Sequence, residues 1–172
     1  MTHSYPPALS TDDFAAIRLL VLDVDGIMTD GGLYYTESGE ILKKFNVKDG
    51  LGIKRLINHG VAVTIISANS SEATLHRAER LHVEHVFINV KDKLKVLKEL
   101  CDRLSIPLSQ VASMGDDLSD LPVMKAVGYP MTVADAMPEN IAHARFVTTK
   151  GGGQGAVREV SDHIISARTM GA

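Results

Sequence analysis

The chain contains no tryptophan and one cysteine, and aromatic side chains make up only 5% of its 172 residues. With Cys101 alone, no disulfide can form within the chain, which favours a reducing compartment, so we expect a cytoplasmic protein. No apolar run approaches the ~20 residues needed to cross a bilayer, and the first residues lack the basic and then apolar pattern of a signal peptide. We therefore expect no membrane association.

The chain also lacks an excess of positive charge. Its formal net charge is −3 at pH 7, whereas nucleic-acid binders concentrate lysine and arginine, so we expect no nucleic-acid partner. Hydrophobic residues make up 45% and charged residues 23%, which is typical of a globular protein. The length fits one domain over residues 1–172, since domains cluster near ~100–150 residues. We expect residues 1–14 to be loosely ordered.

Short apolar runs alternate with amphipathic segments along the rest of the chain. This alternation predicts an α/β fold with a doubly wound, mostly parallel sheet. The predicted strands cover residues 17–22, 61–66, 86–88, 111–114, 130–133 and 145–148. The predicted helices cover residues 49–59, 70–81, 91–104, 117–126 and 156–167, with a short helical turn after Pro138.

A β-hairpin is predicted between the first strand and the first of these helices, over about residues 31–47. Apolar side chains alternate on both sides of the turn residues 37–40, with Leu33 and Tyr35 before the turn and Ile41 and Phe45 after it. Such a hairpin is too apolar and has too many open edges to stand alone in water. We expect it to pack against another subunit.

Two aspartates follow the first predicted strand, in the run LLVLDVDGIMTDG. In parallel sheets, ligands bind at the carboxyl ends of the strands, which is where Asp23 and Asp25 would emerge. Two carboxylates there, with Gly26 allowing the chain to turn away, suit Mg²⁺ and a phosphoryl group beside it. Short acidic pairs are also common at ordinary turns, so the pair alone does not decide the function.

Further polar residues follow later strands or open a helix. Ser67 ends the second long apolar run, Lys93 lies near the start of a predicted helix, and the segment GDDLSDLPVM follows the strand at 111–114. That segment carries Asp116, Asp117 and Asp120. The order and setting of these residues resemble the four motifs of the haloacid dehalogenase superfamily of phosphohydrolases.

The resemblance implies a Rossmann-like core and a role for each matching residue. Asp23 would be the nucleophile that forms an aspartyl-phosphate, and Asp25 would be the general acid and base. Ser67 and Lys93 would bind the phosphate. Mg²⁺ would be held by the metal ligands Asp23, Asp25 (through its backbone carbonyl) and Asp116. Either Asp117 or Asp120 would orient Lys93 or a water on the metal.

Neither gap between the motifs is long enough for a cap domain with its own core. The segments TDGGLYY, FNVKDGLGI, GDDLSDLPVM and GGGQGAVREV resemble the capless, tetrameric sugar-acid phosphatases of this superfamily. The resemblance covers about residues 17–165. It implies a homotetramer in which each hairpin covers a neighbour's site. Lys48 would bind substrate near the mouth of the site, and Gly151 to Gly155 would form a tail that can approach an active site.

One departure concerns the substrate. Close relatives usually read Ser/Thr-Gly-Arg after the second strand, whereas this chain reads Ser67-Ala68-Asn69. Without that arginine, the bidentate contact that its guanidinium makes to a carboxylate or phosphate is lost. Arg77 is the candidate to make this contact instead, so the expected substrate-binding residues here are Asn69 and Arg77. The resemblance implies a 3-deoxy-2-keto sugar-acid phosphate as the substrate, with 3-deoxy-D-manno-octulosonate 8-phosphate ahead of neuraminate or deaminated nonulosonate 9-phosphate.

Two other functions stay open at this point. A receiver-type phosphoacceptor module also has a doubly wound fold with acidic residues, but it needs an acceptor aspartate in mid-chain, and none follows the strand near Ser67. A catalytically idle tetrameric scaffold is the other alternative. The intact Asp23, Asp25, Lys93 and Asp116 disfavour it, whereas Asn69 keeps it open.

Overall fold

The structure, a computed structural model, describes residues 7–170 of the chain. Six strands form a parallel sheet: β1 (Leu19–Leu22), β4 (Ala62–Ile66), β5 (His85–Phe87), β6 (Val111–Met114), β7 (Tyr129–Thr132) and β8 (Phe146–Val147). Their spatial order is β5-β4-β1-β6-β7-β8. The chain leaves β1 towards β4 and β5 and then returns to the other side of β1. This reversal places a topological switch point beside β1, where ligands bind in such sheets.

Helices cover both faces of this sheet, as the sequence predicts. They are α1 (Thr11–Ala16), α2 (Val47–Asn58), α3 (Glu72–Leu81), α4 (Lys93–Leu104), α5 (Leu121–Ala126), α6 (Pro138–His143) and α7 (Ala156–Met170). With the parallel sheet, these helices confirm the predicted doubly wound α/β fold. None of them is both long and apolar enough to cross a membrane.

The core consists of two apolar layers separated by the sheet. Leu20 and Leu22 of β1 face the layer that contains α2, α3 and α7, whereas Leu19 and Val21 face the layer that contains α4 and α5. All four side chains are at most 4% exposed. A central parallel strand is covered on both faces, which explains why the run is apolar throughout rather than alternating.

The expectation of loose order for residues 1–14 is wrong for residues 11–14, which lie in α1. Ser10 and Asp13 form a capping box at the start of this helix. Phe14 is 6% exposed and packs edge-on against Phe146, with 5.3 Å between the ring centroids. A short helix is stable here because its one large side chain completes the core. Residues 1–6 lie outside the described part of the chain.

The predicted hairpin forms from β2 (Tyr34–Tyr35) and β3 (Ile41–Leu42), in which Tyr35 pairs with Ile41. Four of its apolar side chains are at least half exposed: Leu33, Tyr34, Tyr35 and Leu42. Phe45 differs from the sequence expectation, because it packs against the core and against the Arg77 guanidinium. Within the described residues, the hairpin, α2 and β4 are the only elements between Asp25 and Ser67, and no cap domain is present.

Candidate active site

The sheet brings the predicted site residues together at the carboxyl end of β1. Leu22, the last residue of β1, pairs with Ile65 of β4 and Met114 of β6, so the residues that follow all three strands emerge side by side. They surround a cavity of about 510 Å³. Its lining consists of Asp23, Asp25, Gly26, Gly31, Ser67, Ala68, Asn69, Lys93, Asp116, Asp117 and Ser119.

Lys93 connects two carboxylates at the floor of this cavity. Its Nζ lies 2.7 Å from Asp23 Oδ1 and 2.6 Å from Asp120 Oδ1. The Lys93 side chain is only 6% exposed. Burial lowers the pKa of Lys93, but the two carboxylates more than offset this, and the pKa lies above its usual value. Lys93 is therefore a fixed positive charge beside Asp23.

Asp120 rather than Asp117 is the carboxylate that contacts Lys93. The other oxygen of Asp120 accepts hydrogen bonds from the backbone N–H groups of Asp116 and Asp117, at 3.1 and 3.4 Å. Asp117 instead accepts from the Leu118 N–H at 2.6 Å. Asp120 thus positions both the lysine and the backbone of the loop that carries Asp116.

Asp23 and Asp116 are crowded carboxyl groups. Burial, reinforced by the Asp120 carboxylate, raises the pKa of Asp23 to about 6, even though Lys93 opposes the shift. Burial together with the charges of Asp23 and Asp120 raises the pKa of Asp116 to about 7. A group that brings positive charge to this end of the cavity would stabilise the ionised forms of both.

The donor set fits a divalent cation. Oxygen atoms of Asp23, Asp116 and Asp120 lie within 4.8 Å of one another, and carboxylate oxygens are the ligands that hard cations prefer. Both oxygens of Asp120 already have partners, one in Lys93 and the other in the Asp116 and Asp117 N–H groups, whereas Lys93 contacts only one oxygen of Asp23. Asp23 and Asp116 are therefore the principal candidate ligands. The turn after Asp25 needs glycine, because Gly26 has φ +86° and a Cβ there would lie 1.9 Å from Asp116 Oδ2.

Ser67 and Asn69 line the cavity from the β4 side. Ser67 is 2% exposed, and its Oγ accepts a hydrogen bond from the Asn69 N–H at 3.1 Å, which leaves its own hydroxyl proton available. The Asn69 side-chain oxygen accepts from the Ser71 N–H at 3.0 Å. Asn69 therefore forms a turn before α3 and borders the cavity.

Two predicted substrate-binding residues do not line the cavity. Lys48 is an exposed residue of α2. The Arg77 guanidinium donates to the Asn46 carbonyl at 3.0 Å and lies over the Phe45 ring, so it fixes the end of the hairpin to α2 and α3. Within this chain, neither side chain replaces the missing arginine at position 69.

The description of Gly151 to Gly155 as a tail is wrong. This glycine loop (Gly151–Gly155) precedes the 15-residue helix α7 and packs beneath residues 23–31, the loop after β1, which is called the catalytic loop after the role proposed for it below. The Gly153 N–H donates to the Ile27 carbonyl at 3.0 Å, and a Cβ on Gly152 would lie 1.9 Å from the Gly26 carbonyl oxygen. The glycines are needed because two backbone segments lie in direct contact.

One contact at the site has no counterpart in the sequence prediction. Lys43, at the end of β3, forms an ion pair with Asp25, and the Lys43 side chain is 1% exposed. Lysines beside a turn are usually solvated, so the sequence alone gives no signal for this pair.

The chain has relatives among known protein families and curated proteins. A family model for haloacid dehalogenase-like hydrolases matches residues 86–159. A curated relative, 3-deoxy-D-manno-octulosonate 8-phosphate phosphatase of Yersinia pestis, is 46% identical over 154 residues, which cover 90% of this chain and 82% of the relative. The chain belongs to the haloacid dehalogenase-like phosphatases.

Two solved phosphatase structures have the same fold as this chain. One is 3-deoxy-D-manno-octulosonate 8-phosphate phosphatase of Moraxella catarrhalis in complex with magnesium, phosphate and KDO, at 38% identity and a TM-score of 0.90, covering 92% of this chain and 91% of that one. The other is the cobalt-bound enzyme of Haemophilus influenzae, at 35% identity and a TM-score of 0.88, covering 91% of this chain and 92% of that one. The receiver-type alternative is thereby excluded.

Proposed function

We propose that this phosphatase hydrolyses 3-deoxy-D-manno-octulosonate 8-phosphate through an aspartyl-phosphate on Asp23, with Mg²⁺ as its metal ion. The observation that carries the proposal is the chain of contacts from Asp120 through Lys93 to Asp23, with Asp25 on the same loop. It supports the proposal because two carboxyl groups and a fixed cation border one cavity, as attack on phosphorus and proton transfer to the leaving oxygen require. The names of the relatives at 43–46% identity support the choice of substrate.

The residues divide the reaction into two steps. The free Asp23 oxygen attacks phosphorus, the bond to the sugar oxygen breaks, and Asp25 gives a proton to that oxygen. Asp25 then takes a proton from the water that attacks the aspartyl-phosphate, which releases phosphate and restores Asp23. Lys93 and Ser67 neutralise and orient the phosphate oxygens throughout.

Mg²⁺ would be held by Asp23, the Asp25 backbone carbonyl and Asp116. When bound, it supplies positive charge that offsets the repulsion between the Asp23 carboxylate and the phosphate dianion. The raised pKa values of Asp23 and Asp116 are consistent with a site built to receive such a charge.

We expect Mg²⁺ to stabilise the protein more at about pH 7.5 than at about pH 5. Asp23 and Asp116 have higher pKa values in the folded chain than in the unfolded one, so without metal they favour folding at low pH, and this contribution is lost as the pH rises from about 4 to about 7. Mg²⁺ binds the ionised carboxylates, so it offsets the cost of keeping these two buried groups charged only at the higher pH, where they are ionised. Thermal unfolding with and without MgCl₂ measures the effect; Asp116→Asn should abolish it. An equal rise in Tm at both pH values would contradict the proposal.

We expect Asn69 to give this chain a weaker preference for sugar-acid phosphates than relatives with arginine at this position have. Arginine offers a fixed fork of donors and a permanent charge, whereas asparagine is neutral and already uses its oxygen in the turn before α3. A lost contact to a charged group costs about 1.5–3 kcal/mol, or roughly 10–150-fold in selectivity. Asn69→Arg should therefore raise kcat/KM for the eight-carbon sugar-acid phosphate more than for a neutral hexose phosphate.

The test assays wild type, Asn69→Arg and Asn69→Ala on the eight-carbon phosphate, two nine-carbon sugar-acid phosphates and a hexose phosphate at one Mg²⁺ concentration. The alanine variant separates loss of the local turn from gain of the arginine. Higher wild-type kcat/KM for a nine-carbon substrate would favour the neuraminate or nonulosonate alternative. No turnover of any phosphate would favour the idle scaffold. Equal gains for all substrates would show that position 69 does not read the sugar acid.

A homotetramer built around the hairpin belongs to the same proposal. Four apolar hairpin side chains are at least half exposed in the single chain, which is unusual for a surface in water: Leu33, Tyr34, Tyr35 and Leu42. A second copy would bury them and could cover the open cavity. Sedimentation velocity at assay concentration measures this directly, and a fully active monomer would contradict it.

A further inference from the structure

Two consecutive lysines at the end of the hairpin contact the catalytic loop. Lys43 pairs with Asp25, and Lys44 pairs with Asp30 at 2.5 Å. The two pairs differ in their surroundings. The Lys43 side chain is 1% exposed, whereas the Lys44 side chain is 61% exposed. An exposed pair contributes little to a structure, but a buried ammonium is costly unless its partner is held in a fixed place.

The end of the hairpin that carries Lys43 is itself fixed. Asn46 donates from its side-chain amide to the Gly153 carbonyl at 3.0 Å, and Gly153 donates to the Ile27 carbonyl of the catalytic loop. Arg77 holds the Asn46 carbonyl from the other side. The segment that follows Lys43 is therefore connected to the catalytic loop by way of Gly153, which limits how far Lys43 can move relative to that loop.

Asp25, by contrast, borders an open cavity. Its side chain is 31% exposed, and it lies one residue before the left-handed turn at Gly26. Proton transfer requires its carboxyl group within hydrogen-bond reach of the departing oxygen, and a displacement of about 1 Å can cost 10²-fold in rate. The Lys43 ammonium contacts only Oδ1 of Asp25, which limits the rotation of the carboxyl group and leaves Oδ2 as the atom that carries the transferred proton.

We propose that Lys43 is a positioning residue that holds Asp25 in the orientation needed for proton transfer to the leaving oxygen. Lys43 acts through Asp25 and does not touch the phosphate. The contact also joins the hairpin to the chemical step, so a subunit that packs on the hairpin would influence Asp25 through Lys43. The inference rests on the proposed phosphatase mechanism, in which Asp25 is the acid.

The test compares two substrates that differ in their need for a proton. A sugar alkoxide leaves poorly without one, whereas p-nitrophenolate is a stable anion. The quantity compared is kcat/KM, because it reports the steps up to departure of the leaving group. Lys43→Met should lower kcat/KM for 3-deoxy-D-manno-octulosonate 8-phosphate by about 10–100-fold and for p-nitrophenyl phosphate by less than about 3-fold. Lys44→Met, the matched control at the neighbouring exposed pair, should change neither.

A double-mutant cycle separates positioning from a general structural role. If Lys43 acts only through Asp25, adding Lys43→Met to Asp25→Asn should cost nothing further. Lys43→Gln, whose amide still donates, should show a smaller loss with the same bias towards the sugar phosphate. It serves as the test if the methionine variant does not fold. Thermal unfolding of every variant provides the check on folding.

Either of two results would overturn the inference. One is an equal loss on both substrates, which indicates that Lys43 binds the phosphate or supports the fold. The other is a further loss when Lys43→Met is added to Asp25→Asn. These outcomes differ from failure of the proposed function, which would show as an inactive wild type on the sugar phosphate in the same assay.

Discussion

Asp23→Asn is expected to lower turnover by about 10⁴-fold or more at saturating substrate and metal. The amide has nearly the shape of the carboxylate and can still contact Lys93, so the fold should survive. What disappears is the negatively charged oxygen that attacks phosphorus, and an amide is a far weaker nucleophile. The loss should therefore appear in kcat, with a small change in KM.

Phosphate release measured over several hours gives enough sensitivity for such a slow variant. Asp30→Asn is the matched control, because it makes the same chemical change on the same catalytic loop. Asp30 pairs with the exposed Lys44 and accepts from the Gly32 N–H at 3.1 Å, and an asparagine oxygen can still accept that bond. The control should retain wild-type activity within a few fold. An Asp23→Asn protein that keeps more than about a tenth of wild-type turnover would rule out Asp23 as the nucleophile.

Lys93→Met is expected to have the next largest effect, a loss of about 10³-fold in kcat. The lysine lies between Asp23 and Asp120, and its removal takes away the positive charge that faces the developing charge on the phosphate. It also leaves two buried carboxylates side by side, so the pKa of Asp23 should rise further above its present value of about 6. A protonated Asp23 cannot attack, which adds to the loss near neutral pH.

The matching control is Lys95→Met, an exposed lysine two residues further along α4. It should leave kcat and Tm unchanged within error. Lys93→Met should also lower Tm, because removing one partner leaves buried charges without compensation. A Lys93→Met variant with normal kcat would show that the Asp120–Lys93–Asp23 chain serves the fold and not the reaction.

The parts of the site that lie at strand ends could be predicted from the sequence. Asp23, Ser67 and Asp116 each follow an apolar run long enough for a buried parallel strand, and such strands must end at the same edge of the sheet. Their proximity therefore follows from the pattern alone. The sequence pattern does not decide whether Asp117 or Asp120 contacts Lys93, because this depends on the turn that precedes α5.

Contacts between distant segments were beyond the reach of sequence patterns. Asp49 illustrates this, because its position near a helix start predicts a cap for its own helix. In the structure Asn46 caps α2, and Asp49 is buried and accepts hydrogen bonds from the N–H groups of Gly155 and Arg158 at the start of α7. The Lys43–Asp25 pair is a second example. Both depend on how the hairpin, α2 and the glycine loop pack together, and local periodicity carries no information about that packing.

Trapping of the covalent intermediate tests the central claim most directly. Wild-type protein is mixed with 3-deoxy-D-manno-octulosonate 8-phosphate and Mg²⁺, quenched in acid within the first turnover and digested for mass spectrometry. We predict one phosphoryl group on the peptide that contains Asp23, present early, absent after the substrate is consumed and absent from Asp23→Asn. Rapid release of phosphate with no phosphoryl group on that peptide at any time would contradict the account.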